Sequence, residues 1–156
     1  MPATVPQEAS PAPRPVNPTE VGWQFVPQYY NFVNKQPHRL HCFYTKNSTF
    51  SHGTEGDDSK PAYGQHVWVV LSIRALVILT LFTQEIHSKI LALGYENCKV
   101  FINSVDAQSS SQNGIIIQVV GEMSNKGEPW KKFVQTFFLA EQPNGYFVLN
   151  DIFRWV

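Results

Sequence analysis

Four stretches decide the fold: CKVFINSVDAQ (98–108), GIIIQVVGEMS (114–124), WKKFVQTFFLAE (130–141) and YFVLNDIFRWV (146–156). Each is rich in Val, Ile, Phe and Thr, the residues that suit a pleated, half-buried surface. Turn chemistry separates them: Gln112-Asn113-Gly114, Asn125-Lys126-Gly127 and Pro143-Asn144-Gly145. Asn and Gly supply the left-handed backbone that tight hairpins need. The pattern predicts an antiparallel meander of about four long strands.

Upstream, the period changes from two to 3.6. Asn17-Pro18-Thr19-Glu20 reads as a helix start, with Asn17 as cap, Pro18 in the first turn and Glu20 at the capping-box position. Val21, Phe25, Tyr29 and Phe32 follow at helical spacing, thickened by Trp23, Val26, Tyr30 and Val33. Pro27 inside this run removes one backbone bond and is expected to kink the helix near 23–27. A short helical turn is expected over 37–42, a short strand near 48–52, and a loop over 53–59. Ile86, Ile90 and Leu93 form a second amphipathic stripe with Gly94 as its C-cap. Helices first and sheet last indicate an α+β domain. Residues 1–17 are expected to be a disordered, Pro-rich lead-in: prolines stand at 2, 6, 11, 13 and 15, with little to bury.

Composition narrows the function classes. In 156 residues, 12 Lys+Arg cancel 12 Asp+Glu, and only 15% of the chain is charged. A nucleic-acid binder working through a basic face needs an excess of cations. Hydrophobic residues at 43% and aromatics at 13% suffice for one packed core. Cys42 and Cys98 lack metal spacing, and His38, His41, His52, His66 and His87 form no ligand pattern, so no metal or cofactor is expected. Residues 1–10 lack the pattern of a secretory leader, so both thiols are expected to be reduced and the protein cytoplasmic.

One run fits none of this. Residues 67–82, VWVVLSIRALVILTLF, are almost wholly apolar. A transmembrane helix would need about 20 residues, and Arg74 at the centre would cost roughly 3 kcal/mol. A buried core helix is the second reading, although β-branched residues dominate and no polar face exists. The third treats the run as foreign. Without 67–84, Gln65-His66 runs straight into Glu85-Ile86-His87, a natural loop entering a helix. Val67-Trp68 is compatible with a splice donor, Leu79-Thr80 with a branch point and Gln84 with an acceptor. We therefore read 67–84 as a translated intron.

Set aside that stretch, and VGWQFVPQYYNFVN, LHCFYTKNSTFSHG, YGQH…EIHSKI, INSVDAQSS, GIIIQVVGEMSN, FVQTFFLA and YFVLNDIFRW run collinearly with one family. The chain resembles the nuclear-transport-factor-two-like domain of the Ras-GAP SH3-domain-binding protein (Rasputin) family, including its fungal deubiquitinase-cofactor branch. The resemblance covers 19–156 apart from the insert. It implies an NTF2-like cone, a strongly bent antiparallel sheet wrapped by three helices, and a homodimer through the sheet face. It also implies a pocket for Phe-Gly-containing short linear motifs at Val21, Phe25, Gln28, Phe43, Phe137 and Tyr146. Family members continue into an RNA-recognition motif, so RNA contact is expected only through a C-terminal region beyond these residues.

The resulting expectation is a non-enzymatic interaction and dimerisation module in ribonucleoprotein or stress-granule assembly, or a cofactor of a ubiquitin protease. It would work in the cytoplasm, in ribonucleoprotein granules or at the nuclear envelope, with no membrane partner. The alternative is a nuclear transport factor carrying GDP-bound Ran, which needs an acidic rim that the low charge does not clearly present. An enzyme of the same fold would need a positioned acid and base. Asp106, Asp151, His87 and Tyr44 are the candidates, each explicable as an ordinary strand or helix residue. No nucleophile-elbow, zincin, P-loop or dinucleotide motif occurs, so no catalytic residue is expected.

Overall fold

Asn17 caps the first helix as expected: its side-chain Oδ1 accepts a hydrogen bond from the Thr19 N–H at 3.0 Å. The computed structural model describes residues 16–64, 66–71, 78–83 and 85–156, so most of the lead-in lies outside the described residues. Helix α1 (Pro18–Lys35) continues through Pro27, which lies on its exposed side, and buries Gly22, Val26, Tyr29, Tyr30 and Val33. A 3-10 helix (Pro37–Phe43) follows, then β1 (Tyr44–Thr54) and β2 (Ala62–Tyr63). The expected short strand at 48–52 is thus eleven residues long.

Beyond β3 (His66–Leu71), β4 (Ile78–Thr83) and α2 (Glu85–Leu93) come β5 (Lys99–Ser109), β6 (Ile115–Ser124), β7 (Lys131–Gln142) and β8 (Gly145–Trp155). The six-stranded sheet has the order β2-β1-β8-β7-β6-β5. Strands β5 to β8 form the antiparallel meander that the turns predict. The β6–β7 turn places Lys126 and Gly127 at φ 54° and 70°, the left-handed pair of a tight hairpin. The antiparallel expectation fails at one junction. Strand β1 joins β8 in parallel, with Phe50 opposite Asp151 and Phe153 opposite His52. This pairing is non-local, so no turn signal announces it.

Register shifts at Ile102/Ser104, Phe138/Leu139 and Tyr44/Thr49 interrupt the ladders and help the sheet to bend. Its inner face carries Ile115, Ile117, Val119, Phe133, Phe137, Leu139 and Phe153, all buried. Helix α1 lies close across β5: a Cβ added at Gly22 would meet Ala107 Cβ at 3.3 Å. Helix α2 seals the base with Ile86 and Ile90 and ends at Gly94, whose φ is +65°.

Among the described residues, strands β3 and β4 pair only with each other, from His66 opposite Thr83 to Leu71 opposite Ile78. The described parts of the apolar run are therefore strands, and both helical readings of it fail there. β-Branched residues explain the preference. Among the described residues, no helix is long and apolar enough to cross a membrane.

Candidate functional site

Four elements converge at one mouth of the core. Helix α1 presents Val21, Gln24, Phe25 and Gln28, one face of two turns. The 3-10 helix ends on Phe43, β7 contributes Leu139 and β8 contributes Tyr146. Together they line a groove of about 180 Å³. Val21, Phe25, Phe43 and Tyr146 are half-buried, and Gln28 is exposed. Of the six sequence-derived residues, five meet in this groove. Phe137 is fully buried and forms the layer beneath, its ring 5.0 Å from Phe25 and 4.8 Å from Tyr29. Gln24 and Leu139 escaped the sequence reading, although Gln24 sits four residues before Gln28 on the same helical face.

The groove's rings pack edge to face. Phe25 and Phe43 meet at 5.8 Å and 88°, and Phe32 braces Phe43 at 5.1 Å and 83°. Such T-shaped contacts leave faces and edges on offer to a further ring. The volume suits one ring, since an engineered apolar cavity of about 150 Å³ takes benzene. Among the described residues, none that lines the groove carries a formal charge.

Directly behind Phe25 and Phe43 lies a buried polar cluster. Asp151 on β8 accepts hydrogen bonds from Gln135 Nε2 at 2.8 Å, the Tyr44 hydroxyl at 2.5 Å and the Tyr29 hydroxyl at 3.4 Å. Tyr30 donates to Gln135 Oε1 at 2.6 Å, which fixes that amide's orientation. Burial pushes the Asp151 carboxyl up to about 6, against the lowering effect of its three hydrogen bonds. Burial, with the nearby Asp151 charge, holds Tyr29 and Tyr44 well above their ordinary range. Of the four catalytic candidates, the structure joins only Asp151 and Tyr44. Asp106 is exposed on β5, and His87 on α2 packs against His41 with ring centroids 4.1 Å apart and planes tilted by 59°. The pairing of Tyr30 with Gln135 has no sequence signal, because neither a helix's nor a strand's period names a polar partner 105 residues away.

A second groove, about 420 Å³, lies between α1 and β5 and is lined by Trp23, Pro27, Asn31, Asn34, Lys99 and Val100, among others. It is larger and its lining is also mostly apolar, but among the described residues it has no pair of rings in contact like Phe25 and Phe43. Cys42 is exposed and Cys98 buried, both as free thiols. Among the described residues, no group of three or more His, Cys, Asp or Glu is placed to hold a metal.

The family model of the Nuclear transport factor 2 (NTF2) domain matches residues 21–155. A Schizosaccharomyces pombe protein named as G3BP-like is 56% identical over 137 residues, covering 88% of this chain and 27% of its own length. Nuclear transport factor 2 of Arabidopsis thaliana is 37% identical over 150 residues, 96% of this chain and 28% of that protein. The chain thus spans little more than a quarter of these two curated relatives. Among solved structures, nuclear transport factor 2 of Cryptosporidium parvum superposes with a TM-score of 0.68 at 25% identity, covering 88% of this chain and 94% of that one. A chain from the yeast complex of the deubiquitinase Ubp3 with its cofactor Bre5 superposes with a TM-score of 0.63 at 21% identity, covering 90% and 98%, a likeness of fold. With the family model matching residues 21–155, nearly all of the folded region, this chain belongs to the NTF2 domain family.

Proposed function

We propose that this domain is a non-enzymatic interaction module whose aromatic groove captures the phenylalanine of a Phe-Gly-containing short linear motif. The observation that carries the reading is the half-open set Val21, Phe25, Phe43 and Tyr146 around a volume fitted to one ring, floored by Phe137. Burying a phenylalanine side chain there contributes about 1.5–3 kcal/mol. A following glycine lets the peptide backbone approach the wall closely. The amides of Gln24 and Gln28 stand at the rim to meet that backbone.

The G3BP-like relative supports a role in ribonucleoprotein or stress-granule assembly, and the Bre5 fold supports a ubiquitin protease as one partner. The expected site of action is the cytoplasm, including such granules. The non-enzymatic reading is favoured by Asp151, whose two oxygens are both engaged by protein donors. Homodimerisation is proposed through the outer sheet face. There the register aligns Phe101, Ile116 and Ile152 on one side, and they are 58%, 41% and 51% exposed. We also propose that 67–84 is additional to the fold, since its flanks meet: the Tyr63 N–H donates to the Glu85 carboxylate at 3.0 Å. Complementary DNA lacking that segment is the expected finding, and transcripts that uniformly contain it contradict the proposal.

Calorimetry with a Phe-Gly peptide tests the groove. Phe43→Trp, which fills the slot, is expected to abolish binding while the fold persists, and unchanged affinity contradicts the reading. The Arabidopsis relative favours a second reading, a nuclear transport factor carrying GDP-bound Ran. Co-precipitation with GDP-loaded Ran separates the two.

A further inference from the structure

The groove and the buried carboxylate share one side chain. Tyr29 packs its ring against Phe25 at 5.7 Å, Phe43 at 5.5 Å and Phe137 at 4.8 Å, so it backs the groove wall. Its hydroxyl, at the other end, reaches Tyr44 at 3.1 Å and Asp151 Oδ2 at 3.4 Å. We propose that Asp151 is a positioning residue for the groove: through the Tyr29 and Tyr44 hydroxyls its carboxylate fixes the ring that backs Phe25 and Phe43, so that the shape of the groove depends on whether Asp151 carries a proton. The inference rests on the groove reading above and gives it a regulator.

The donor count supports the dependence. An ionised carboxylate only accepts, and three donors converge on Asp151, one on Oδ1 and two on Oδ2. A proton on Oδ2 must point at a hydroxyl oxygen, and Tyr44 is the nearest. Tyr44 then turns its own hydrogen to Tyr29, and the Tyr29 hydroxyl loses its anionic acceptor. Oδ1 is no alternative, because Gln135 Nε2 already donates to it while Tyr30 holds the Gln135 carbonyl. Charge-assisted hydrogen bonds are about twice as strong as neutral ones, so the wall is held less firmly in the protonated state.

The groups facing Asp151 are Tyr29 and Tyr30 from α1, Tyr44 from β1, Gln135 from β7 and Tyr95 after α2. Among the described residues no cation acts on Asp151, and burial places its titration at about 6. Histidines lie nearer the groove's other wall, His38 and His41 on the 3-10 helix that ends in Phe43, with His87 packed against His41.

The test uses the whole chain. The Val21 methyl and Phe43 ring resonances are followed by NMR from pH 7.5 to 5, and a capped Phe-Gly peptide without ionisable groups is titrated calorimetrically over the same range. Both resonances are expected to shift in one transition, with affinity weakening at least threefold towards pH 5. Tyr29→Phe, which keeps the ring and removes the hydroxyl, is expected to flatten both curves. Tyr44→Phe serves the same purpose should Tyr29→Phe unfold. His38→Gln with His41→Gln is expected to leave the transition in place. Flat resonances in the parent protein, a transition that survives both tyrosine variants, or one that vanishes with the histidines would each overturn the proposal. Resonances that titrate without peptide binding at any pH sink the peptide reading alone, whereas binding with pH-independent resonances sinks the coupling alone.

Discussion

Two aromatic clusters sit at different places on the same sheet, and they solve opposite problems. Around the groove, Phe25, Tyr29, Phe43 and Phe137 meet at angles of 34° to 88°, mostly edge to face, and leave a wedge open to solvent. Around β8, His52 lies on Phe153 at 4.1 Å and 3°, and Phe153 lies on Phe133 at 5.0 Å and 14°, with Trp155 set against their edges. The stack is closed, and both phenylalanines are fully buried. Similar residue types thus give a packed wall in one place and a receptive slot in the other. The difference comes from the backbone: parallel β1–β8 pairing sets His52 beside Phe153 in register, whereas the groove lies where a helix end and a strand start splay apart.

The largest effect that would sharpen this contrast is on stability. Phe133→Ala in the closed stack is expected to cost about 3–5 kcal/mol in denaturant unfolding. Phe43→Ala at the half-open groove is expected to cost less than half of that, and equal losses would erase the distinction.

Next comes pH. Burial pushes Asp151 up to about 6 and, with the Lys89 charge, holds His52 down at about 4. The raised carboxyl contributes most below its unfolded value near 3.8, and that contribution is lost as pH rises through about 6. The depressed imidazole contributes fully above about 6.5, and that contribution is lost as pH falls towards 4. The two oppose each other across pH 4–6.5. Asp151→Asn is therefore expected to make stability fall more steeply on acidification than in the parent, and His52→Phe to make it fall less or rise. For Asp151 the two-unit displacement corresponds to about 3 kcal/mol at most. Parallel curves for all three proteins would remove the linkage.

On binding, Phe25→Ala is expected to weaken a Phe-Gly peptide roughly tenfold or more, from the area lost. Raising salt from 50 to 500 mM is expected to change the affinity less than twofold, because among the described residues none that lines the groove is charged. The smallest effect lies outside both clusters. Deleting 67–84 is expected to leave the unfolding midpoint unchanged or higher, because among the described residues β3 and β4 join no strand of the main sheet.

Local chemistry made much of this legible. Asn17, the Asn-Gly and Lys-Gly turns and the alternation in β6 and β7 mark their elements directly, and helical spacing puts Val21, Phe25 and Gln28 on one face. Collinear likeness to a known family, rather than spacing, supplied Phe43 and Tyr146. What stayed hidden is non-local. The β1–β8 junction joins residues about a hundred positions apart, and the Tyr30–Gln135–Asp151 chain needs three elements in place before its hydrogen bonds exist. Phe137, implied as a pocket residue by the same likeness, lies one layer deeper, because a matching position gives the place along a strand and not the depth beneath a helix.

The central claim is that the groove holds a phenylalanine ring, and intermolecular nuclear Overhauser effects to a ring-labelled Phe-Gly peptide test it most directly. The account predicts contacts from the peptide ring to the Val21 methyls and the Phe43 ring. Contacts instead to the methyls of Val100 and Ile102, in the groove between α1 and β5, would contradict it.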